Sequence, residues 1–391
     1  MGVRTTCDIL IVGAGLVGAS LACSLKEAGY KVVVVDARPP VGGGDAFDDR
    51  IYALSPASQS FLDSLGIWWR LDASRVEPVR AMQVHGDDGA SRLEFSAYEC
   101  GVDRLATIVE SGALLRGLWT QIEAARGVEL ICPATPAELA LGKESGEICL
   151  DDGRTVSARL IVGADGMQSW VRSAAGLTAQ VDPAGHHAVV ANFSCSLPHH
   201  GVAFQWFRDD GVLAWLPLPG RRISMVWSTQ EAHAVELVAS EAADLCEKVA
   251  QAGRMALGEI TLLNHPKSFP LAWLSVARRA KDRLVLLGDA AHVVHPLSGQ
   301  GVNLGFGDAR ELAAILGGAA RRQADPGELR LLRQFERSRA EDILAMRLTT
   351  KGLKQLFESR SGAIAKIRNL GLNLTDRATV IKTLLARHAM E

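Results

Sequence analysis

Residues 7–36 read CDILIVGAGLVGASLACSLKEAGYKVVVVD, and this stretch decides the fold class of the chain. An apolar strand over 7–12 runs into a glycine turn, a helical pattern over 19–28 and a second strand over 31–36. The unbroken β-branched run of the second strand is typical of a parallel strand that is covered on both faces. The stretch therefore predicts a βαβ unit, whose turn is Gly13-Ala14-Gly15-Leu16-Val17-Gly18.

The spacing of the three glycines, with an acid after the second strand, predicts a dinucleotide site. The first glycine allows the turn, the second lets the backbone approach a pyrophosphate, and the third allows close packing of helix on strand. Asp36 would accept the ribose hydroxyls, and an acid at this place argues against a 2′-phosphate. The alternative, a glycine turn without a ligand, leaves Asp36 unexplained.

Two later segments repeat the pattern of a strand followed by an acidic loop. Leu160 to Gly163 leads into Asp165-Gly166, and Leu284 to Leu287 leads into Gly288-Asp289. After the second of these loops, Gly299-Gln300-Gly301 precedes a helical pattern from Val302 onward. Free backbone amides at that helix start would favour an anionic or polar ligand. Each loop taken alone could instead be a structural turn.

The composition of the 391 residues excludes several classes of protein. A formal net charge of −2 argues against a nucleic-acid partner, because such binding needs an excess of Lys and Arg. The seven cysteines are scattered, without CxxC pairs or metal-ligand spacing, so we expect reduced thiols in a cytoplasmic protein and no metal. No apolar run is long enough to span a membrane, and the first strand does not resemble a signal peptide.

A change of texture between Pro183 and Pro270 predicts a second, mostly antiparallel β domain. Alternating, tryptophan-rich segments there replace the α/β pattern, which resumes at Arg283. We expect a discontinuous dinucleotide-binding domain over 1–75, 100–182 and 283–342. A substrate domain would comprise 76–99 and 183–282, followed by a helical region over 343–391.

The three loop motifs, in this order, resemble those of the class A FAD-dependent aromatic monooxygenases. Further segments narrow the resemblance to the ubiquinone-biosynthesis hydroxylase family (UbiH, UbiF and VisC), and they span nearly the whole chain. These segments are Asp49-Arg50-Ile51 with Ala53-Leu54-Ser55, Val109-Glu110-Ser111, Ala214-Trp215-Leu216-Pro217-Leu218 with Val226-Trp227-Ser228, Ala290-Ala291-His292, His295-Pro296-Leu297, Asn303-Leu304-Gly305 and Arg368-Asn369-Leu370-Gly371-Leu372.

The resemblance implies a glutathione-reductase-type, Rossmann-like α/β fold that binds FAD. Asp36 would then hold the adenosine ribose, Arg50 the pyrophosphate and Asp289 the ribityl region, with Asp165 in the second binding loop. The flavin ring edge would lie against Gly299, Gln300, Gly301, Val302 and Asn303. The chain departs from the family pattern at Ser298, Ser111 and Gly307-Asp308, and Ser111 weakens any claim of a side-chain contact there.

By the same resemblance the chain would be a monooxygenase that hydroxylates a polyprenyl phenol in ubiquinone biosynthesis with O₂, through a C4a-hydroperoxyflavin. The alternatives are a hydroxylase of a small aromatic acid, a flavin reductase without oxygen insertion and a non-catalytic scaffold flavoprotein. The electron donor, NAD(P)H or a protein reductase, is left open.

His295 and Pro296 beside the flavin loop are the candidate catalytic residues, although a His next to Pro is commonly structural. Trp206, Trp215 and Trp227 are candidate substrate-binding residues, with burial in a core as the alternative.

The region from Ile343 to Glu391 carries nine Lys and Arg against three acidic residues, and its apolar residues recur at helical spacing. Two interpretations stay open: peripheral binding to an anionic membrane surface on the inner membrane face, and capping of the FAD domain. A complex of ubiquinone-biosynthesis proteins is a further candidate partner.

Overall fold

The computed structural model describes residues 4–41, 43–44, 47–294, 300–358 and Lys382. Within these residues the strands are β1 Arg4–Val12, β2 Val32–Val35, β3 Ile51–Leu54, β4 Glu77–Val79, β5 Ala81–His85, β6 Arg92–Ser96, β7 Ala106–Glu110, β8 Val128–Ile131, β9 Pro136–Leu141, β10 Gly146–Leu150, β11 Thr155–Gly163, β12 Ala179–Cys195, β13 Val202–Arg208, β14 Gly211–Leu218, β15 Arg222–Gln230, β16 Ile260–Leu262, β17 Lys267–Val276, β18 Ala280–Lys281, β19 Leu284–Leu286 and β20 His292–Val293. The helices are α1 Leu16–Leu25, α2 Pro56–Ser64, α3 Ala97–Cys100, α4 Ser111–Ala124, α5 Trp170–Ala174, α6 Glu231–Ala239, α7 Ala242–Ala252, α8 Gly301–Arg321, α9 Leu329–Ser338 and α10 Ala340–Glu358.

The first large sheet has the strand order β18-β19-β11-β1-β2-β8, with β9 and β10 added beside β11. Strands β19, β11, β1, β2 and β8 pair in parallel, and the four valines of β2 are all buried, as the β-branched pattern predicts. The register aligns Val12 with Val35 and with Gly163, and Gly163 with Leu286. Because parallel strands end at one edge, the three predicted loops meet there.

The second large sheet has the order β20-β17-β12-β15-β14-β13-β5-β6, and β16 pairs with β12. Most of its neighbours are antiparallel, while β13 and β5 are parallel. One face packs against α6 and α7, two helices in the region that the sequence predicted to be mostly antiparallel strands. The helices form there because Ala234, Leu237, Leu245 and Val249 recur at helical spacing and are fully buried.

A small sheet of order β3-β7-β4 and the helices α8 to α10 complete the fold. Helix α1 spans Leu16–Leu25, so it begins and ends three residues before the predicted 19–28, because Gly15 already serves as its N-cap. None of the described helices is both long enough and apolar enough to cross a membrane.

Candidate functional site

A cavity of about 1030 Å³ lies at the edge where the parallel strands end, and both large sheets contribute to its wall. One half of the wall is formed by the loops after β1, β2, β11 and β19, together with the start of α8. The other half is formed by residues of the second sheet, most of which are apolar. A site at the carboxyl ends of parallel strands is the usual place for a ligand in an open α/β sheet.

In the turn after β1, each of the three glycines is required for a different structural reason. Gly13 has φ +100°, and a Cβ there would lie 2.4 Å from the Ala164 carbonyl oxygen. A Cβ on Gly18 would lie 1.9 Å from the Gly13 carbonyl oxygen, so this glycine is needed for close packing. Gly15 has no protein atom within 4 Å of that position, and it lines the cavity with Leu16 and Val17. The open side of Gly15 is therefore space for a ligand.

Asp36 lies directly after β2 on the wall of the cavity. Its carboxylate accepts a hydrogen bond from the Ala14 amide at 2.6 Å and another from the Arg38 amide at 2.9 Å. These bonds hold the carboxylate beside the glycine turn. This position is the one from which an acid can accept ribose hydroxyls.

Asp165 also lines the cavity, but both of its side-chain oxygens bond within its own loop. They accept hydrogen bonds from the Ser169 hydroxyl at 2.6 Å and from the Val171 amide at 2.9 Å. Arg172 then donates to the Met167 carbonyl at 2.8 Å and to the Ala290 carbonyl at 3.0 Å. The loop after β11 is thus fastened to the loop after β19, which carries Asp289.

Asp289 and Arg50 lie together on the polar half of the cavity wall, with Tyr52. The Asp289 side chain opens into the cavity. The surrounding protein nevertheless limits the hydration of its carboxyl and so raises the pKa, while the charges of His292 and Arg50 oppose that rise. Burial likewise raises the pKa of the Tyr52 phenol, against the charge of Arg50. Tyr52 was not predicted as a site residue from the sequence. It lies in β3, two residues after Arg50, and its closeness to Arg50 in the sequence could have pointed to it.

The start of α8 faces the cavity through Gln300, Gly301 and Val302. Asn303 points elsewhere: its oxygen accepts from the Ser55 amide at 3.0 Å, and its nitrogen donates to the Ala53 carbonyl at 3.0 Å. Its side chain therefore fixes the junction of β3 and α2. The candidate residues His295, Pro296 and Gly299 lie outside the described residues.

A buried ionic network behind the loop after β19 was also missed. The Asp308 carboxylate, on α8, accepts hydrogen bonds from the Gly288 amide at 3.0 Å, from His292 Nε2 at 2.6 Å and from Arg339 Nε at 2.8 Å. Burial alone would raise the pKa of Asp308, but His292 and Arg339 outweigh it and hold the pKa at about 2. The network holds the turn that presents Asp289, and a Gly-Asp pair inside a helical pattern was its only sequence signal.

The apolar half of the cavity is built mainly from alternate residues of β12 to β15, and Phe204 reaches its wall from the opposite face of β13. Its wall here comprises Ala188, Val190, Ala203, Phe204, Gln205, Ala214, Leu216, Ser224 and Val226. Among the described residues of this half there is no charged side chain. Small residues on adjacent strands leave a recess above the sheet.

The three candidate tryptophans do not line this cavity, which corrects the sequence-based assignment. Trp206, Trp215 and Trp227 are at most 2% exposed and pack in the core between the second sheet and helices α6 and α7. The indoles of Trp206 and Trp215 contact each other edge to face, with ring centroids 4.8 Å apart. Residues of opposite parity face the cavity, because side chains alternate across a strand. Because α6 and α7 were not predicted from the sequence, the face of the sheet that they cover could not be identified as the core.

The polar half fits FAD on three observations. Gly15 leaves open space where a pyrophosphate must approach the backbone, and the N-termini of α1 and α8 both face the cavity. In neither helix does the side chain of the N-cap residue cap the first backbone amides. Asp36 and Asp289 supply acceptors at separate places along the wall. Helix N-termini favour phosphate and an electron-rich flavin edge, while the carboxylates suit sugar and ribityl hydroxyls.

Comparison with known proteins agrees with this assignment. The family model of the FAD binding domain matches residues 6–346. The ubiquinone hydroxylase UbiL of Rhodospirillum rubrum is 34% identical over 386 residues, which cover 98% of this chain and 89% of that protein. The 3-demethoxyubiquinol 3-hydroxylase of Escherichia coli is 32% identical, with 98% of each chain covered.

Among solved structures, PqsL of Pseudomonas aeruginosa, described as a probable FAD-dependent monooxygenase, superposes with a TM-score of 0.79 at 25% identity. The match covers 94% of this chain and 99% of PqsL. Both the sequence and the fold thus agree over nearly the full length. The chain belongs to the FAD-binding family and, within it, to the ubiquinone-biosynthesis hydroxylases, which are FAD-dependent aromatic-ring monooxygenases.

Proposed function

We propose that this protein hydroxylates the aromatic ring of a polyprenyl phenol, an intermediate of ubiquinone biosynthesis. The observation that carries the proposal is the apolar half of the cavity, where no described lining side chain is charged. An apolar recess favours a prenylated ring, whereas a benzoate would bring an unpaired carboxylate into it at a high desolvation cost. The hydroxylase relatives named for ubiquinone and demethoxyubiquinol support the same substrate class.

The proposed roles of the polar half follow from its geometry. Asp36 binds the adenosine ribose, the amides at Gly15 and the side chain of Arg50 bind the pyrophosphate, and Asp289 binds the ribityl hydroxyls. Asp165 shapes the second binding loop, and the α8 start with Gln300 to Val302 faces the flavin edge. When bound and reduced, the flavin supplies the activation of O₂ for oxygen transfer.

The apolar half has the complementary task of holding the ring and excluding water. Val190, Ala214 and Val226 lie on three adjacent strands and would contact the ring or its prenyl tail. Exclusion of water protects a reactive oxygen donor from wasteful breakdown. The electron-rich ring of the substrate and the bound flavin would then meet at the boundary between the two halves.

A single-turnover assay tests the proposal without knowledge of the electron donor. FAD-loaded protein is reduced with dithionite under anaerobic conditions and mixed with ¹⁸O₂ and 2-(3-methylbut-2-enyl)phenol. We expect one ¹⁸O atom in the ring of the product, detected by mass spectrometry, and no hydroxylation of 4-hydroxybenzoate. Preferential hydroxylation of the benzoate would favour a hydroxylase of small aromatic acids, and reoxidation without labelled product from either compound would favour a reductase.

We also propose that the carboxyl-terminal region contacts an anionic membrane surface, which would give access to a lipid-dissolved substrate. The support is its charge, nine Lys and Arg against three acidic residues in a chain of net charge −2. Most of that region lies outside the described residues. We expect co-sedimentation with vesicles rich in phosphatidylglycerol at low salt, and absence of binding would contradict the proposal. A pull-down of ubiquinone-biosynthesis proteins tests the alternative role in a complex.

A further inference from the structure

Gln205 stands out in the apolar half of the cavity, because its polar side chain lines the recess and none of the described residues hydrogen-bonds to it. The residue is 6% exposed and lines the cavity from the middle of β13. Its cross-strand neighbours are Val84 on β5 and Ala214 on β14, and Ala214 pairs in turn with Val226. No residue that the structure describes forms a hydrogen bond with the Gln205 side chain. Apolar side chains thus surround a group with two donors and an acceptor.

An amide in this recess is largely shielded from bulk water, so it gains hydrogen bonds when a ligand with a matching polar group enters. A leucine or methionine of similar size would fill the same space without a polar group. Asn192 on β12 carries another amide of this sheet, and its nitrogen donates to the Asp48 carbonyl at 3.0 Å, while its oxygen is buried without a partner among the described residues. Asn192 therefore has a structural contact through its nitrogen, whereas none of the described residues gives the Gln205 side chain such a contact.

A second polar group lies on the same face of the sheet. Ser224 on β15 is 1% exposed and lines the cavity, and its hydroxyl has no hydrogen-bond partner among the described residues. In the sheet register it lies opposite Leu216, one row of side chains away from Ala214 and Gln205. Among the described residues of this sheet that line the recess, Gln205 and Ser224 are the polar ones.

We propose that Gln205 is the specificity-determining residue that hydrogen-bonds an oxygen substituent of the substrate ring, with Ser224 as the second polar contact. The amide can accept from a phenol hydroxyl or donate to a ring oxygen, and the small side chain of Ala214 leaves room beside it. The bond fixes the rotation of the ring in the recess and so selects the carbon that faces the flavin. This inference rests on the proposed function, which supplies the ring oxygen.

A binding experiment on the FAD-loaded full-length chain tests the assignment with two probes. The first probe is 2-(3-methylbut-2-enyl)phenol, and the second is (3-methylbut-2-enyl)benzene, which has the same shape without the hydroxyl. Affinities are measured by isothermal titration calorimetry for wild type, Gln205→Leu and Gln205→Met. Gln251→Leu is the matched control, because Gln251 is an exposed glutamine on α7 that bonds Glu247.

We expect Gln205→Leu and Gln205→Met to weaken phenol binding about tenfold, the value of one neutral hydrogen bond with its desolvation, and to leave the benzene probe unchanged. The thermal unfolding midpoint should not fall, because the substitution removes no hydrogen bond between the Gln205 side chain and the described residues. Ser224→Ala should show a smaller loss of the same kind, and Gln251→Leu none. A merely structural glutamine would instead weaken both probes together and lower the midpoint.

Two results would overturn the assignment, and they are distinguishable. Phenol binding that survives both Gln205 variants contradicts this inference alone. Wild-type protein that binds neither probe contradicts the proposed function and removes the basis of the inference with it.

Discussion

Asp289 shows how a single residue can depend on its surroundings for its chemistry. The carboxylate opens into the cavity and is presented by a turn that the Asp308 network holds. Its pKa is raised because the surrounding protein limits its hydration. A group in this position is available to a ligand because none of the described residues forms a hydrogen bond with its side chain. We infer that its hydrogen bonds become complete only when FAD is bound.

Replacement of Asp289 by Ala should give a folded protein with little bound flavin. The loss of hydrogen bonds from a charged acceptor, about 1.5–3 kcal/mol, corresponds to roughly ten- to hundredfold weaker binding. Absorbance of bound flavin after purification measures occupancy, and circular dichroism checks the fold. Full FAD occupancy in Asp289→Ala would refute the role of this segment.

The protonation of His85, on β5, makes the stability of the folded protein depend on pH. Its ring stacks on Trp206 with centroids 5.6 Å apart, and burial together with Arg254 and Arg92 lowers its pKa to about 4. The unfolded chain, with an ordinary histidine pKa, therefore binds more protons than the folded protein between about pH 6.5 and 4. Stability is fully present above this window and is lost as the pH falls through it.

We expect the free energy of unfolding to fall by at most about 2 kcal/mol from pH 7 to pH 5 because of His85, less any screening by solvent. Urea titrations at both pH values measure the change. His85→Phe keeps an aromatic ring for the stacking but cannot bind a proton, so its stability should depend less on pH. An equal pH dependence in wild type and His85→Phe would show that other groups are responsible.

At the scale of elements, the first turn of α1 separates packing from ligand binding. Gly18 packs against the Gly13 carbonyl, whereas Gly15 faces open cavity space, although the two glycines are only three residues apart. The same substitution at the two positions should therefore have different effects. The difference arises from the direction in which each missing side chain would point.

Gly18→Ala should destabilise the fold by about 1–3 kcal/mol, since its methyl group would overlap backbone that must shift. Gly15→Ala should leave the thermal unfolding midpoint of flavin-free protein nearly unchanged and weaken FAD binding at least tenfold, because the methyl group occupies the space of the ligand. Differential scanning fluorimetry and FAD titration measure the two effects. Equal loss of stability in both variants would contradict the assignment of Gly18 to packing and of Gly15 to ligand binding.

At the scale of the whole molecule, the cavity joins two sheets with different chemistry. The first sheet contributes strand-end loops that carry acids and free amides, and the second contributes a face of small apolar side chains. Neither sheet alone would enclose a ring beside a nucleotide. Because the two halves of the cavity are separate, a bulky side chain in the apolar half should not prevent FAD from binding in the polar half.

Ala214→Phe should fill the recess above the second sheet. We expect FAD occupancy to equal that of wild type, while affinity for 2-(3-methylbut-2-enyl)phenol falls more than tenfold as the ring loses its space. Flavin absorbance and calorimetry give the two measurements, with Val235→Phe on the exposed face of α6 as the control. A parallel loss of flavin would mean that the halves are not independent.

The sequence by itself determined the dinucleotide fold, the family and the loops that meet at the cavity. Glycine spacing, strand-end acids and β-branched runs are local patterns, so Gly13, Asp36 and Asp289 could be singled out without coordinates. Only the tertiary structure decided which face of the second sheet is the substrate wall. That choice depended on α6 and α7 covering the other face, which put the tryptophans in the core and left Gln205 toward the cavity. Alternation along a strand defines two faces, but long-range packing decides which of them is buried.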